Sequence, residues 1–352
     1  LLQLVSTLKR RKVRFPALLR FPQILHARVA EIFDAFQNAI EEFGYAGVYR
    51  GVYPIKVNQQ RAVIDELVRA GRGRGFGLEA GSKAELAVAL AHRLGKEPLM
   101  VCNGYKDKPY VRLALRGVAL GKKVFMIIEK PQEIPLILDV VKETGLRPLL
   151  GMRTRLRARG SGKWEKSGGY EAKFGLSTQE LLDAVRMLEE ADLLDCFQLL
   201  HFHVGSQIPE IRRIKDAVRE GARVYAKLIK TGCNMKVLDV GGGLGVDYDG
   251  SRTSYEASMN YTVQEYANDV VYNVQQVCEA EEVPMPTLVS ESGRALVAYH
   301  AMLITEVSGQ TSENVKEPLE IPEDAHENVS ELNEILDGIS RKNHREYLHD
   351  AE

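Results

Sequence analysis

Lys56 ends the apolar run Val52-Tyr53-Pro54-Ile55 and precedes Val57-Asn58. A partly shielded lysine at the end of a strand is placed to hold a carbonyl compound as a Schiff base. Three later segments offer complementary groups. His201-Phe202-His203-Val204-Gly205-Ser206 brings two imidazoles and a hydroxyl, with His201 and His203 on one strand face by period-two counting. Asp239-Val240-Gly241-Gly242-Gly243-Leu244-Gly245 follows an apolar run, where turns without side chains let backbone N–H groups approach an anion. Glu291-Ser292-Gly293-Arg294 adds a carboxylate and a guanidinium, the latter suited to charge-assisted bonds with an anion. Singly these residues also fit a surface lysine, a core histidine, a tight turn and a helix-start glutamate. Together they offer an amine, a flat polar ring, an anion pocket and an acid.

The glycine run has a competing reading. Val237-Leu238-Asp239-Val240-Gly241-Gly242-Gly243-Leu244-Gly245 also resembles the first motif of S-adenosylmethionine methyltransferases. That motif ordinarily opens its domain, whereas seven strand candidates precede or contain it here. The dinucleotide fingerprint is not met, because the sixth position counted from Gly241 is Val246. Ser82-Lys83-Ala84-Glu85 reads as a capping box that starts a helix, with Glu79 just before it. Asp239 and Asp247 flank the glycine run, each able to meet a substrate amine or to cap the next turn.

The elements that would position these groups alternate. Strands are predicted at Val48–Tyr53, Gly75–Leu78, Leu99–Cys102, Val124–Ile128, Leu149–Thr154, Gln198–His203, Lys236–Val240 and Thr287–Ser290. Helix patterns fall between them, among them Arg61–Arg69, Lys83–Leu94, Pro131–Glu143, Thr178–Glu189, Ile211–Lys230 and Val263–Glu281. This is the pattern of an α/β protein built as a (β/α)₈ barrel. Lys56, Glu79, Asn103, Glu129, Arg155, His203, Gly241 and Glu291 stand at or just past the carboxyl ends of the strands, so a barrel gathers them on its catalytic face. The expected organisation is a segment over 1–25 leading in, the barrel over 26–306, and an acidic linker over 307–352 with a helical stripe at Val329, Leu332, Ile335, Leu336 and Ile339. The Gly-rich stretch 159–169, with the lone tryptophan Trp164, reads as a lid or an insertion.

With 352 residues, 45% hydrophobic and 27% charged, the chain has the makeup of an ordinary soluble domain, and a net charge of -1 gives no footprint for nucleic acid or anionic membrane. The basic clusters Lys9-Arg10-Arg11-Lys12 and Arg153, Arg155, Arg157 and Arg159 lack interleaved aromatics and read as solvated surface or loop. Four scattered cysteines form no zinc pattern and fit a reducing cytoplasm. No apolar run reaches the ~20 residues of a membrane helix. The absence of an initial methionine and the close in a helical pattern suggest a fragment.

The segments Gly51-Val52-Tyr53-Pro54-Ile55-Lys56-Val57-Asn58-Gln59, Phe76-Gly77-Leu78-Glu79-Ala80-Gly81-Ser82-Lys83-Ala84-Glu85-Leu86 and Asp239-Val240-Gly241-Gly242-Gly243-Leu244-Gly245-Val246-Asp247-Tyr248 resemble the fold type III, alanine-racemase-like pyridoxal-phosphate enzymes. Within that group they are most similar to the biosynthetic arginine decarboxylases, over nearly the whole chain. The resemblance implies a pyridoxal 5'-phosphate-binding, TIM-like barrel followed by the start of a helical insertion, with the β-sandwich domain largely absent. It implies decarboxylation of L-arginine to agmatine in polyamine biosynthesis, with ornithine or diaminopimelate as other substrates of the group, or a non-catalytic cofactor carrier. Lys56 would hold the cofactor, His203 would stack on its ring and Glu291 would face the ring nitrogen, where racemases carry arginine. Ser206, Gly241, Gly242, Gly243, Gly293 and Arg294 would hold the phosphate end, Glu79 would lie near the cofactor, and Asp239, Asp247 and Tyr248 would meet substrate. Magnesium and a homo-oligomer, a dimer or tetramer of the full-length protein, enter on the same ground, since the family builds each site between two subunits. The Cys-Asp segment and C-terminal tyrosine that the family uses there do not appear in this sequence.

Overall fold

The computed structural model describes residues 1–95, 97–156, 174–309, 311, 321–322, 324–340 and 343–351; the expected lid at 159–169 lies outside them, as do Arg157 and Arg159. The chain divides into two compact units, Ala17–Ile304 and Leu1–Pro16 with Thr305–Glu352. The expected divisions at 25/26 and 306/307 therefore differ from those observed. The reason is a short antiparallel pair that the sequence reading did not anticipate. After helix α1 (Leu2–Arg10), strand β1 (Ala17–Arg20) pairs with β10 (Ala301–Ile304), which ties both ends of the larger unit together.

Helix α2 (Pro22–Phe43) opens with proline in its first turn and stops at Gly44, whose φ of 62° suits glycine. Its buried residues Leu25, Val29, Ile32, Phe36 and Ala39 recur every three or four positions, so one stripe faces the interior. Phe36 stacks on Tyr49 at 3.8 Å between ring centres, which holds this helix against the first barrel strand.

Eight parallel strands close into a barrel in sequence order: β2 (Tyr49–Pro54), β3 (Gly77–Ala80), β4 (Leu99–Cys102), β5 (Lys123–Ile128), β6 (Leu149–Arg153), β7 (Phe197–His201), β8 (Val237–Asp239) and β9 (Thr287–Ser290). The connecting helices are α3 (Arg61–Ala70), α4 (Lys83–Ala91), α5 (Lys108–Ala119), α6 (Glu133–Thr144), α7 (Thr178–Glu190), α8 (Ile211–Lys230) and α9 (Val263–Ala280), and α10 (Gly293–Val297) follows β9. Local sequence fixes several starts. Ser177 with Glu180, and Thr262 with Glu265, form reciprocal capping boxes, and Asp107 caps α5 ahead of Pro109. Strand β3 begins two residues later than predicted because Gly73 and Gly75 have φ of 81° and 76°, left-handed values that a strand does not accept.

Inside the cylinder Val52, Leu99, Val101, Phe125, Ile127, Leu199, Val237 and Val289 form their own buried cluster. Their neighbours, such as Met100, Cys102, Met126, Leu200, Leu238 and Leu288, join the layer under the helices. This is the period-two alternation of a closed barrel. Gly151 completes it, since a Cβ there would come within 2.5 Å of Ile127. In the other unit, the predicted stripe residues lie on or beside α11 (Glu327–Gly338), and α12 (His344–Ala351) follows.

Candidate active site

The inward parity continues past the apolar layer. Two residues beyond Val101, Ile127, Gly151, Leu199, Val237 and Val289 come Asn103, Glu129, Arg153, His201, Asp239 and Glu291. The top layer of the barrel interior is therefore polar, and most of it is buried: Glu79 0%, His201 1%, Asp239 0% and Glu291 7% exposed. Buried charges persist only where partners meet them. Asn103 donates to Glu291 Oε1 at 2.7 Å, Arg153 donates to Glu129 at 2.8 Å, and His201 Nε2 stands 3.6 Å from Glu291. Lys56 reaches into this layer from the turn after β2, its Nζ 3.6 Å from Glu79 Oε2.

These groups set one another's charge. Burial works against ionising Glu291, yet His201, Lys56 and His203 outweigh it and bring its carboxyl down to about 2. Burial, reinforced by the charge on Glu291, drives Glu79 the other way, to about 8, with Lys56 opposing. Burial also opposes the charge on Lys56, but Glu79, Glu291 and Glu129 hold its ammonium above the ordinary lysine range. His203 is pressed down to about 3 by burial and then by Arg153, so its imidazole is neutral. The two carboxyls that act most strongly on Lys56 are thus split into one that keeps its charge and one that holds a proton.

Beside this layer lies a cavity of about 480 Å³, lined by Lys56, His203, Ser206, Gly242, Gly243, Tyr248, Glu291, Gly293 and Arg294 among others. His203 Nδ1 accepts the Gly242 N–H at 3.1 Å, which fixes the ring's orientation. Gly241 has φ 69° and lies against Phe202, where a Cβ would meet the carbonyl oxygen at 2.3 Å. A Cβ on Gly242 would stand 2.9 Å from the Glu291 carbonyl oxygen, and one on Gly293 would strike Val57 and Pro54 beside Lys56. Glycine at these positions lets four strand ends, those of β2, β7, β8 and β9, crowd together. Arg294 donates to Ser206 Oγ at 3.2 Å and to the Tyr248 hydroxyl at 3.0 Å, while its buried Nε has no partner among the described residues.

Residues 29–298 match the family model described as pyridoxal-dependent decarboxylase, pyridoxal binding domain. The chain belongs to this family. It is 54% identical over 340 residues to the biosynthetic arginine decarboxylase of Deinococcus radiodurans, covering 96% of this chain and 51% of that protein. Over 352 residues it is 46% identical to the Nostoc enzyme of the same name, covering 100% of this chain and 52% of the other. The crystal structure of the biosynthetic arginine decarboxylase from Campylobacter jejuni superposes with a TM-score of 0.78 at 35% identity, over 99% of this chain and 58% of that one. A diaminopimelate decarboxylase from Helicobacter pylori shares the fold, with a TM-score of 0.67 at 20% identity over 85% of this chain and 68% of that one. The chain thus spans about half the length of the curated relatives it matches.

The cofactor of this decarboxylase family fits the residues present. Its aldehyde needs the amine that Lys56 offers, and its phosphate needs a cation, a hydroxyl and close backbone amides, which Arg294, Ser206 and the glycine run provide. Magnesium fits less well. His201, Asp239 and Glu291 place one ligand atom each within 4.8 Å of one another, but all three are buried, and Glu291 is already engaged by Asn103. A magnesium ion prefers six oxygens and keeps several waters, which this closed nitrogen-bearing set does not offer.

Other expectations resolve residue by residue. Arg153 and Arg155 are not solvated surface: Arg153 is three-quarters enclosed or more, on Glu129, and Arg155 pairs with Glu180 at 2.6 Å. Asp239 Oδ1 accepts the Gly241 N–H at 2.9 Å, so the observed contact is the turn cap. Asp247 likewise binds its own loop, accepting from Ser258 Oγ at 2.6 Å and the Gly250 N–H at 3.1 Å. Tyr248 stands on Arg294, at the anion end of the cavity. Ser82 does cap α4, but Glu85 closes on the Gly81 N–H at 2.7 Å and on Gln59, so the box is displaced by one residue. Arg153 is the site residue that sequence reasoning passed over, and its inward parity with Gly151 is the signal that could have found it.

Proposed function

We infer that this chain is the cofactor-binding barrel of a decarboxylase that converts L-arginine to agmatine and CO₂, at the entry to polyamine (putrescine and spermidine) biosynthesis. One observation carries the reading: Lys56, His203, Ser206, Glu291 and Arg294 line a single cavity at the carboxyl ends of the strands. The choice of arginine is supported by relatives of that name at 44–54% identity. Pyridoxal phosphate, when bound, supplies an electron-withdrawing ring that stabilises the negative charge left at the substrate's α-carbon as CO₂ departs. Lys56 contributes the amine, with Glu79 beside it as the group that holds or takes up its proton. Glu291, kept ionised chiefly by His201 and Lys56 and accepting from Asn103, suits the role of holding a proton on the ring nitrogen. His203, neutral and tied to Gly242, presents a flat uncharged face. The reading includes a cytoplasmic setting, consistent with four buried free thiols, and a homodimer or tetramer for the full-length protein; magnesium is assigned to no residue.

Borohydride reduction of the cofactor-loaded protein, followed by mass spectrometry, tests the site, and CO₂ release from arginine, ornithine and diaminopimelate tests the substrate. The expected result is an adduct on Lys56 and CO₂ from arginine. An adduct on another lysine overturns the site. Release from ornithine or diaminopimelate in place of arginine overturns the substrate, and a full-length protein with the adduct on Lys56 but no release from any of the three is a carrier.

A further inference from the structure

Among the described residues Arg294 has no carboxylate partner, although its Nε is buried. Its two terminal nitrogens are instead held by hydroxyls, Ser206 Oγ at 3.2 Å and Tyr248 Oη at 3.0 Å. A guanidinium oriented by neutral oxygens and left without a counter-ion is ready to take an anion in its fork. Ser206 belongs to the expected phosphate set. Tyr248 does not.

The placement of Tyr248 is built by its surroundings. Gln207, itself at φ 54°, donates from Nε2 to the Val246 carbonyl at 2.7 Å and the Ser258 carbonyl at 3.2 Å, and accepts the Val246 N–H at 3.0 Å. One buried amide thereby clamps both feet of the loop from Val246 to Ser258. Asp247 ties the loop across its middle through Ser258 Oγ and the Gly250 N–H. The Tyr248 N–H donates to the Ala257 carbonyl at 2.8 Å, and the Tyr299 hydroxyl donates to the Asp247 carbonyl at 2.8 Å. The loop on which Tyr248 stands is thus anchored on both sides of it, and its ring lines the same cavity as Lys56. A phenol whose oxygen accepts from arginine still has its own O–H to give.

We propose that Tyr248 is a positioning residue for the phosphate end of the cofactor: it holds the Arg294 fork open toward the glycine run and donates its O–H to the anion. The proposal rests on the reading of this cavity as the pyridoxal phosphate site and assigns Tyr248 to the phosphate instead of the substrate. It separates phosphorylated from unphosphorylated cofactor, because pyridoxal lacks the group Tyr248 serves.

The test compares wild type, Tyr248→Phe and Tyr299→Phe for binding of pyridoxal phosphate and of pyridoxal, read by the visible absorbance of the lysine-linked cofactor. Tyr248 is half-exposed, so phenylalanine is accommodated without a new cavity. Tyr248→Phe should weaken pyridoxal phosphate binding by roughly ten-fold, the worth of one hydrogen bond to a charged group, and leave pyridoxal binding within about two-fold. Tyr299→Phe, which loosens the loop but keeps the phenol, should show a smaller loss with the same selectivity. Unchanged pyridoxal phosphate affinity in Tyr248→Phe, or an equal loss for both compounds, overturns the proposal alone. A wild-type protein that forms no absorbing complex overturns the reading beneath it as well.

Discussion

Lys106 and Glu133 form an ion pair that solvent does not reach, and its removal has a calculable cost. The side chains are 0% and 3% exposed, with Lys106 Nζ 3.7 Å from Glu133 Oε2 and 2.7 Å from the Gly104 carbonyl. At an effective dielectric constant of about 20, two unit charges at that distance attract by about 4.5 kcal/mol. Much of this offsets the loss of water around both ions, so the pair is not a net gain of that size. Lys106→Met changes the balance, because it leaves the Glu133 carboxylate buried and alone. Such a break ordinarily costs about 3–5 kcal/mol. Glu133 keeps two backbone donors, the Lys106 N–H at 3.2 Å and the Glu129 N–H at 2.8 Å, which places the expected loss near the lower end, about 3 kcal/mol. The measurement is the urea midpoint of the cofactor-free protein, with m unchanged. Adding Glu133→Gln to Lys106→Met removes the stranded charge, but its NH₂ replaces one of the two oxygens that accept backbone N–H groups, so it should recover less than half of the loss. A Lys106→Met protein within about 1 kcal/mol of wild type refutes the account. The pair matters for the site because those same two backbone bonds fix the turns that carry Asn103 and Glu129.

Two further outcomes follow from the same structure. Glu79 binds its proton more tightly in the folded chain, at about 8, than the ordinary carboxyl near 4.5, so between those values the folded state holds more protons than the unfolded one. That contribution is fully present below 4.5 and is lost as pH rises toward 8; the cofactor-free protein should be more easily unfolded by urea at pH 9 than at pH 6, and Glu79→Gln should flatten the difference, whereas equal slopes in both proteins would exclude it. Gly241→Ala forces a Cβ into a left-handed backbone and against the Phe202 carbonyl, which should cost about 2 kcal/mol or more and lower the thermal midpoint, and an unchanged midpoint would show that the glycine turn shifts freely.

The barrel was legible because each strand is a short apolar run ended by a polar residue, and a parallel barrel buries both faces of its strands. Where the reading slipped, a local conformation or a distant partner decided the matter. Gly75 looked like the start of a strand, but its left-handed φ belongs to the turn before it. Strand β1 has four residues and finds its ladder at β10, at the other end of the unit, so no local periodicity announces it. The site shows the same division. Lys56, His203, Ser206, Glu291 and Arg294 were recognisable from their motifs and line one cavity. Arg153 was hidden among alternating arginines that resemble a solvated stretch. The parity that places Gly151 inside the barrel also places Arg153 inside, and its charge is met there by Glu129. Arg155 shares that alternation, yet past the strand end it turns to Glu180 on α7. Alternation therefore separates a site residue from its look-alike only while the strand lasts, and at the rim the decision passes to the nearest carboxylate.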